Sequence, residues 1–252
     1  MSDIAVISGA TGGIGGAIAE RLVRDGATVI LLGRDAARLE ATRKRLEAGV
    51  PVVLDINDPD SVTEGVRTVL ERFGRIDVLV NAAGDGPVAP LLETTDALWD
   101  STIGGKLLGA VRLTRTVARA MVERGSGRIV FINGSFRREP DPLFVINGTV
   151  NAGLGAFAKA ISRDLGAHGL RVNTVDPGAT DTPLWSRTLE DLARRFGGTA
   201  RETGADFAAK TPYGRLPTPE DVAQAVAFLL SPAAAQINGA SITVDGGASV
   251  AV

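Results

Sequence analysis

The sequence predicts a single-domain α/β protein with a doubly wound, mostly parallel sheet and helices on both faces. Short apolar runs of strand length alternate with longer amphipathic stretches of helical period. A glycine-rich loop joins the first apolar run to the first helix, as in βαβ units that bind nucleotides. The 252 residues, 44% of them hydrophobic, suffice for one large core. Because no repeat or linker interrupts the pattern, we expect one domain over residues 1–252.

The glycine-rich loop, residues 8–15 (SGATGGIG), lies between a predicted strand over residues 4–7 and a helix. Gly9 permits a positive φ that starts the turn, Gly13 lets the backbone approach a ligand, and Gly15 lets the helix lie against the strand. A helix begun this way directs free N–H groups at a ligand, so the loop predicts a pyrophosphate site. The alternative interpretation is an ordinary strand-to-helix turn that is rich in glycine.

The second predicted strand, residues 27–32, ends in Gly33, Arg34 and Asp35. An NAD site would place an acidic side chain at this strand end, whereas glycine leaves space and the Arg34 guanidinium suits a 2′-phosphate. The sequence therefore favours NADP(H) over NAD(H). In the alternative interpretation, Arg34 is solvated and Asp35 caps the next helix; both can hold together.

The remaining elements follow in chain order. Strands are predicted over residues 52–56, 76–80, 128–132, 170–175 and 240–244; helices are predicted from residue 59, over 96–122 and 147–166, and from residue 219; residues 180–217 are expected to be irregular or short-helical. In the helix over 96–122, the candidate buried positions are Leu98, Ile103, Leu107, Val111 and Val117. The strand order along the chain delivers Asn81 and Gly84 to the carboxyl edge of the sheet, where such sheets bind ligands.

Four segments together resemble the short-chain dehydrogenase/reductase family. They are the Gly-x-x-x-Gly-x-Gly loop, residues 81–84 (NAAG), residues 171–178 (RVNTVDPG), and residues 238–240 with 244–247 (NGA and VDGG). Because these segments are spread from the first strand to the last, the likeness covers essentially the whole chain. It implies a Rossmann-like fold with seven strands, and a segment over about 180–217 that covers the substrate.

The resemblance also implies a cofactor site, partners and an activity. The expected cofactor-binding residues are Gly9, Thr11, Gly13, Ile14, Gly15, Arg34, Asp55, Ile56, Asn81, Ala82, Gly84, Pro177 and Gly178, with Asp55 and Ile56 beside the adenine. The family's activity implies a small-molecule carbonyl or alcohol substrate. Its assembly implies a homotetramer or homodimer in which the two long helices pair with a neighbour, and small residues such as Ala152, Gly153, Gly155 and Ala156 would permit close contact.

The family's catalytic Tyr-x-x-x-Lys pair is missing at the matching positions. Counting back from Arg171 along the ungapped helix places Asn147 at the tyrosine and Asn151 at the lysine. The chain has one tyrosine, Tyr213, in a turn-rich segment far from this helix in sequence. An amide does not titrate in the working pH range, so Asn147 cannot act as a general acid as a phenol can.

The family's other two catalytic positions are also changed. Gly134 stands where a serine is usual, and a shift of one residue would give the role to Ser135 as a carbonyl donor. Lys106 stands where the family has an asparagine, so lysine and asparagine have exchanged helices. A partly buried lysine has a lowered pKa and can exchange protons, although Lys106 could instead be a solvated surface charge. The catalytic candidates are therefore Lys106, Ser135, Asn147 and Asn151.

Three functions remain compatible with these residues. The first is an NADP(H)-dependent oxidoreductase with an atypical active site, which the glycine loop, Arg34 and the Asn81 segment favour. The second is a catalytically silent NADP(H)-binding protein, which the missing tyrosine favours. The third is a non-redox isomerase or dehydratase that uses the same pocket. A fold alone cannot choose among them, and we expect the first.

Composition narrows the partners and the compartment. A net charge of −2 offers no electrostatic footprint for nucleic acid or an anionic membrane surface. Without cysteine there is no disulfide framework, and we expect no metal site. The first strand begins within a few residues of Met1, and no apolar run has the length of a membrane span. We therefore expect a cytoplasmic protein without a signal peptide.

Overall fold

A computed structural model describes residues 2–251 and places seven parallel strands in one sheet. The strands are β1 (Ile4–Ser8), β2 (Thr28–Gly33), β3 (Val50–Val53), β4 (Val78–Asn81), β5 (Gly127–Ile132), β6 (Leu170–Pro177) and β7 (Ser241–Val244). Their order across the sheet is β3-β2-β1-β4-β5-β6-β7. The order reverses direction between β1 and β4, which opens a crevice at their carboxyl ends.

Helices cover both faces of the sheet, as the sequence predicts. They are α1 (Gly13–Arg24), α2 (Ala36–Leu46), α3 (Pro59–Phe73), α4 (Asp96–Thr102), α5 (Gly109–Arg124), α6 (Val145–Gly166), α7 (Pro183–Phe196), α8 (Ala200–Ala209) and α9 (Pro219–Leu230). Side chains of α3, α5 and α6 pack on one face, and side chains of α1, α2 and α9 pack on the other. The prediction of a doubly wound, Rossmann-like α/β domain with seven strands is confirmed.

The central strands are buried on both faces, which explains why they read as continuous apolar runs rather than alternating ones. All five residues of β1 are buried, and Val6 packs with Leu113 in one core while Ile7 packs with Ile18 in the other. Complete burial of each such aliphatic side chain stabilises the fold by about 1.5–3 kcal/mol. The fully buried strand β1 therefore leads directly into the glycine loop.

Side chains cap two of the helices whose starts the sequence predicts. The Asp35 carboxylate accepts a hydrogen bond from the backbone N–H of Arg38, and Asp58 caps α3 by accepting from Asp60. Strand β3 is displaced from its prediction: it spans Val50–Val53 instead of residues 52–56. After Leu54 the chain leaves the sheet because Asp55 enters a turn, in which its carboxylate accepts from the backbone N–H of Asn57.

The long helix predicted over residues 96–122 is continuous but contains a π-helical segment, Ile103–Leu108, between α4 and α5. The predicted buried face is wrong for three of its five positions. Val117 is fully buried and Leu107 packs against the core, whereas Leu98, Ile103 and Val111 are only partly buried and lie outside it. The wider π turn shifts the register, so a single 3.6-residue period cannot describe the whole stretch. The face of α5 that enters the core consists of Ala110, Leu113, Val117, Ala118 and Met121.

The segment over about 180–217 consists largely of two helices, α7 and α8, and lies beside the carboxyl edge of the sheet. Thr182 caps α7, and Thr199 with Glu202 forms a reciprocal capping box on α8. Trp185 and Phe207 pack edge to face and hold the two helices together. Among residues 2–251, no helix combines the length with the apolar character that a membrane crossing requires.

Candidate active site

A cleft of about 920 Å³ runs along the carboxyl edge of the sheet. One end is lined by the glycine loop and the ends of β2 and β3, and the other by residues following β4, β5 and β6. We call these the cofactor half and the catalytic half. Of the predicted site residues, the cleft is lined by Gly9, Thr11, Gly13, Ile14, Gly15, Arg34, Ile56, Ala82, Gly84, Lys106, Ser135, Asn147, Asn151, Pro177 and Gly178.

The glycine loop has the backbone geometry of an anion-binding turn. Gly9 has a φ of 70°, and a Cβ there would lie 2.6 Å from the Ala82 carbonyl oxygen. A Cβ on Gly15 would overlap the Gly9 carbonyl, so Gly15 permits the close approach of α1. No side chain caps the amino end of α1, which leaves backbone N–H groups directed at the cleft. This end of the cleft fits a diphosphate.

Two arginines lie just after β2, Arg34 in the connecting turn and Arg38 in the first turn of α2. The exposed Arg34 lines the cleft and makes no ion pair with the described residues, and Arg38 also lines it, with Nη2 donating to the Thr11 carbonyl at 3.3 Å. Asp35 is occupied as the cap of α2. The pair forms a positively charged corner suited to a phosphate monoester. Sequence reasoning missed Arg38, although its position four residues after Arg34 places both near the same edge.

Two expected cofactor contacts do not line the cleft. The Asp55 carboxylate accepts from both the backbone and the side-chain amide of Asn57, so Ile56 and Asn57 line this part of the cleft instead. Asn81 is buried, and its Nδ2 donates to Thr114 Oγ1 at 3.0 Å. Asn81 thus ties the end of β4 to α5 and lies behind the lining of the cleft, so its role as a cofactor contact stays a prediction.

Lys106 lies in the π-helical segment and points into the catalytic half of the cleft. Its Nζ donates to the Asn133 backbone carbonyl at 3.0 Å. Its stem packs over Gly84, where φ is 115° and a Cβ would lie 2.6 Å from the Lys106 Cβ. Burial lowers the pKa of Lys106 to about 8, and the nearby carboxylates of Asp85 and Asp176 oppose this shift. Lys106 is therefore not a freely solvated surface charge, and it titrates where proton transfer is useful.

Asn147 and Asn151 lie one turn apart on α6 and line the same end of the cleft. Nδ2 of Asn147 donates to the Gly86 carbonyl at 3.3 Å, and a Cβ on Gly86 would overlap the Asn147 amide. Asn151 is buried, and a Cβ on Gly134 would lie 2.6 Å from its Nδ2. Lys106, Asn147 and Asn151 are thus each seated against a glycine of an opposite loop.

The other two sequence candidates differ in their placement. Ser135 lines the cleft at the start of a short 3₁₀ turn, Ser135–Arg137, and is partly buried. Tyr213 is 77% exposed and does not line the cleft. The chain's one tyrosine therefore lies outside the group formed by Lys106, Ser135, Asn147 and Asn151.

Asp85 is a catalytic-half residue that sequence reasoning missed. It lines the cleft between Gly84 and Gly86, and its Oδ1 accepts from the Gly86 N–H at 2.7 Å. Burial raises the pKa of the Asp85 carboxyl, whereas the charges of Lys106 and Arg187 lower it. Its signal in the sequence was a charged residue directly after the Asn-x-Ala-Gly segment. The catalytic half thus contains one ammonium and one carboxylate with mutually perturbed pKa values.

Three features together define a nucleotide-binding α/β protein. They are a parallel sheet whose strand order reverses between β1 and β4, a glycine loop before α1, and polar groups at the ends of β4 to β6. The family described as enoyl-(acyl carrier protein) reductase matches residues 9–249. The chain belongs to the short-chain dehydrogenase/reductase family.

Several of the relatives and similar structures are named as reductases. Short-chain reductase protein NovJ of Streptomyces niveus is 33% identical over 251 residues, which are 98% of this chain and 94% of that protein. The 3-oxoacyl-(acyl-carrier-protein) reductase FabG of Escherichia coli is 34% identical over 245 residues, 97% of this chain and 96% of FabG. A variant of actinorhodin polyketide ketoreductase with NADPH superposes with a TM-score of 0.95 at 32% identity, covering 98% of this chain and 97% of that one.

A sugar reductase has a similar structure. L-sorbose reductase from Gluconobacter frateurii, complexed with NADPH and L-sorbose, gives a TM-score of 0.93 at 31% identity, over 100% of this chain and 98% of that one. The two solved structures thus share one fold and one cofactor although their names describe different substrates. The fold therefore leaves the substrate open.

Proposed function

We propose that this protein is an NADP(H)-dependent oxidoreductase that interconverts a carbonyl compound and an alcohol, with Lys106 as its proton donor and acceptor. NADPH in the similar structures supports the cofactor. The glycine loop and the arginine corner of this chain fit a diphosphate and a 2′-phosphate, respectively. When bound, the cofactor supplies or accepts the hydride.

The observation that carries the proposal is the placement of the Lys106 ammonium. It lies in the catalytic half, held by the Asn133 carbonyl at 3.0 Å, with a pKa of about 8. In reduction, Lys106 donates a proton to the oxygen of the carbonyl group as hydride reaches its carbon. In oxidation, the neutral amine accepts the hydroxyl proton. A pKa near the working pH allows both directions.

The side chains around Lys106 support a non-standard mechanism. Asn147, at the position that the resemblance assigns to a tyrosine, is held by Gly86 and cannot titrate. Asn151 and Ser135 line the same end of the cleft and offer polar groups for orienting a substrate. Asp85 adds a carboxylate close enough to interact with Lys106. Proton transfer at this site is therefore assigned to the lysine and not to a phenol.

The test is the change in reduced-nicotinamide absorbance when the protein and NADPH meet carbonyl compounds, and when NADP⁺ meets alcohols. The panel contains simple and cyclic ketones, ketoses and 3-oxoacyl thioesters, since relatives are named for several such classes. We expect turnover with at least one compound and a product reduced at its carbonyl carbon. NADPH binding without turnover across the panel would contradict the proposal.

A catalytically silent NADP(H)-binding protein is the second candidate. It is favoured by the amides of Asn147 and Asn151, because neither titrates and the Oδ1 of each is buried without a hydrogen-bond partner among the described residues. Calorimetric binding of NADPH together with a silent panel would support it. A third function, a non-redox isomerase or dehydratase, would convert a substrate while the nicotinamide absorbance stays constant.

We also propose a cytoplasmic homotetramer or homodimer that assembles through α5 and α6. Ala152 and Ala156 are exposed on α6 and are available for close helix contact. Gly153 and Gly155 have intrachain neighbours instead, since a Cβ would contact Leu107 at one and overlap Arg137 at the other. Light scattering should give a multiple of the 26.0 kDa chain mass, and Ala156→Arg should reduce it. A monomer mass for the parent at micromolar concentration would contradict this assembly.

A further inference from the structure

A buried ion pair lies behind the catalytic half of the cleft. Asp176, near the end of β6, is completely buried, and its Oδ2 accepts from Arg137 Nε at 2.7 Å and from Ser241 Oγ at 2.5 Å. Its Oδ1 is buried without a hydrogen-bond partner among the described residues. Buried ion pairs contribute little net stability compared with apolar packing, so the pair calls for another explanation.

Arg137 is fixed from several sides. It ends the short 3₁₀ turn Ser135–Arg137, and its guanidinium occupies the space over Gly155, where a Cβ would overlap Nη1. Its Nε reaches Asp176 on β6. Through one side chain, the segment after β5 is therefore attached to both α6 and β6.

That segment also holds Lys106. Asn133, whose backbone carbonyl accepts the Lys106 ammonium, lies four residues before Arg137, and its Nδ2 donates to the Asn151 carbonyl at 3.1 Å. Movement of this segment would displace the acceptor of Lys106 together with Ser135. The ion pair thus lies one segment away from the proposed proton donor.

The charges around Lys106 come from separate elements. Asp85 follows β4 and Asp176 belongs to β6, and both favour the protonated lysine. Arg137 faces Asp176, and Arg187 of α7 acts on Asp85, so each carboxylate has an arginine beside it. Removing one member of either pair changes the charge that Lys106 experiences.

We propose that Arg137 and Asp176 are a positioning pair that fixes the segment carrying Asn133 and Ser135 against Lys106 and sets the charge around its ammonium. The proposal rests on the proposed function for its catalytic meaning. Neither residue lines the cleft, so both act through Lys106 and not by contact with a substrate. The carboxylate keeps the amine protonated, and the arginine keeps the carboxylate in place.

The test measures the titration of Lys106 without requiring turnover. The whole protein is labelled briefly with acetic anhydride at a series of pH values, and the acetylation of Lys106 is quantified by mass spectrometry of its peptide. Asp176→Asn keeps the side-chain shape and removes the charge, so the labelling midpoint should fall by about one pH unit. Ser241→Ala is the matched control because it removes a hydrogen bond to Asp176 but no charge, and its midpoint should stay at the parent value.

A second variant covers the case in which Asp176→Asn does not fold. Arg137→Met combined with Asp176→Leu replaces the buried pair by apolar groups of similar size, a change that such sites tolerate. Its midpoint should fall by less than that of Asp176→Asn, because the opposing charge of Arg137 is lost together with the carboxylate. A midpoint equal to that of the parent in either folded variant, or an equal fall in Ser241→Ala, would overturn the proposal. Because labelling needs no turnover, its result can be interpreted even if no compound of the substrate panel is converted.

Discussion

The two halves of the cleft are specified in different ways. In the cofactor half, the decisive groups belong to the backbone: Gly9 at positive φ, Gly15 against the Gly9 carbonyl, and free N–H groups at the start of α1. In the catalytic half, the decisive groups are side chains, above all Lys106 and Asn147, and glycines make room for them. Backbone geometry of this kind requires glycine at several positions and is therefore visible as a sequence pattern. In the catalytic half, by contrast, one substitution is enough to change the chemistry.

The largest effect is expected from Lys106→Met, which changes the catalytic half and leaves the cofactor half unaltered. The methionine keeps most of the stem over Gly84 and removes the proton, so turnover should fall by about 10²–10⁴-fold. Steady-state rates with NADPH and the best panel substrate measure this. Lys44→Met, on an exposed position of α2, is the control and should behave like the parent. Unchanged turnover in Lys106→Met would remove the lysine from the mechanism.

The pH dependence of the unmodified protein also tests whether Lys106 is the proton donor and acceptor. Below its pKa of about 8, Lys106 carries the proton that reduction requires, and above it the amine is neutral. The rate of carbonyl reduction should therefore fall as the pH rises through about 8, and the rate of alcohol oxidation should rise over the same range. Profiles with the same direction for both reactions would not fit a single group that donates and accepts the proton.

A smaller effect is expected in the cofactor half from Arg34→Ala. Loss of charge-assisted hydrogen bonds to a 2′-phosphate costs about 1.5–3 kcal/mol, so NADPH affinity should fall roughly 10–100-fold while NADH affinity stays constant. Titration calorimetry with both cofactors measures the ratio. Arg24→Ala, at an exposed position near the end of α1, is the control. Equal affinities for NADPH and NADH in the parent would show that Arg34 makes no such contact.

The smallest effect is expected from a double-mutant cycle between Gly86 and Asn147. Gly86→Ala should displace the Asn147 amide because a Cβ overlaps it, whereas the same change in an Asn147→Ala background meets no amide. We expect a coupling free energy of about 1 kcal/mol from urea unfolding of the four proteins. Additive changes would mean that Gly86 does not seat the asparagine.

Most of the fold could be predicted because its signals are local and repeated. Buried strands such as β1 are continuous apolar runs, and Asp35 and Asp58 mark helix starts with side-chain caps. The ends of β3 and the buried face of α5 could not be predicted. One depends on the turn formed by Asp55 and Asn57, and the other on a π-helical segment that changes the helical period.

Candidate site residues could be predicted where their place in the sequence was enough to identify them. Lys106, Asn147 and Asn151 follow from the resemblance to the family, whose motif positions fall on them, and they line one cleft. Asn81 looks like a ligand contact but bonds to Thr114, and Asp85 becomes notable only when Lys106 lies beside it. Such roles depend on pairs of residues far apart in sequence, which one sequence does not reveal.

The π-helical segment Ile103–Leu108 has a consequence for insertions and deletions. A π turn is an α-helix that has taken up an additional residue, and each residue of an α-helix advances the side-chain direction by about 100°. The Cβ position of Gly105 has no neighbour within 4 Å, so no other element packs against the helix there. A chain shortened by this one glycine could close into a regular helix and turn Lys106 away from the Asn133 carbonyl. Loss of a single codon would then take the proposed proton donor out of the cleft while leaving the cofactor half unchanged.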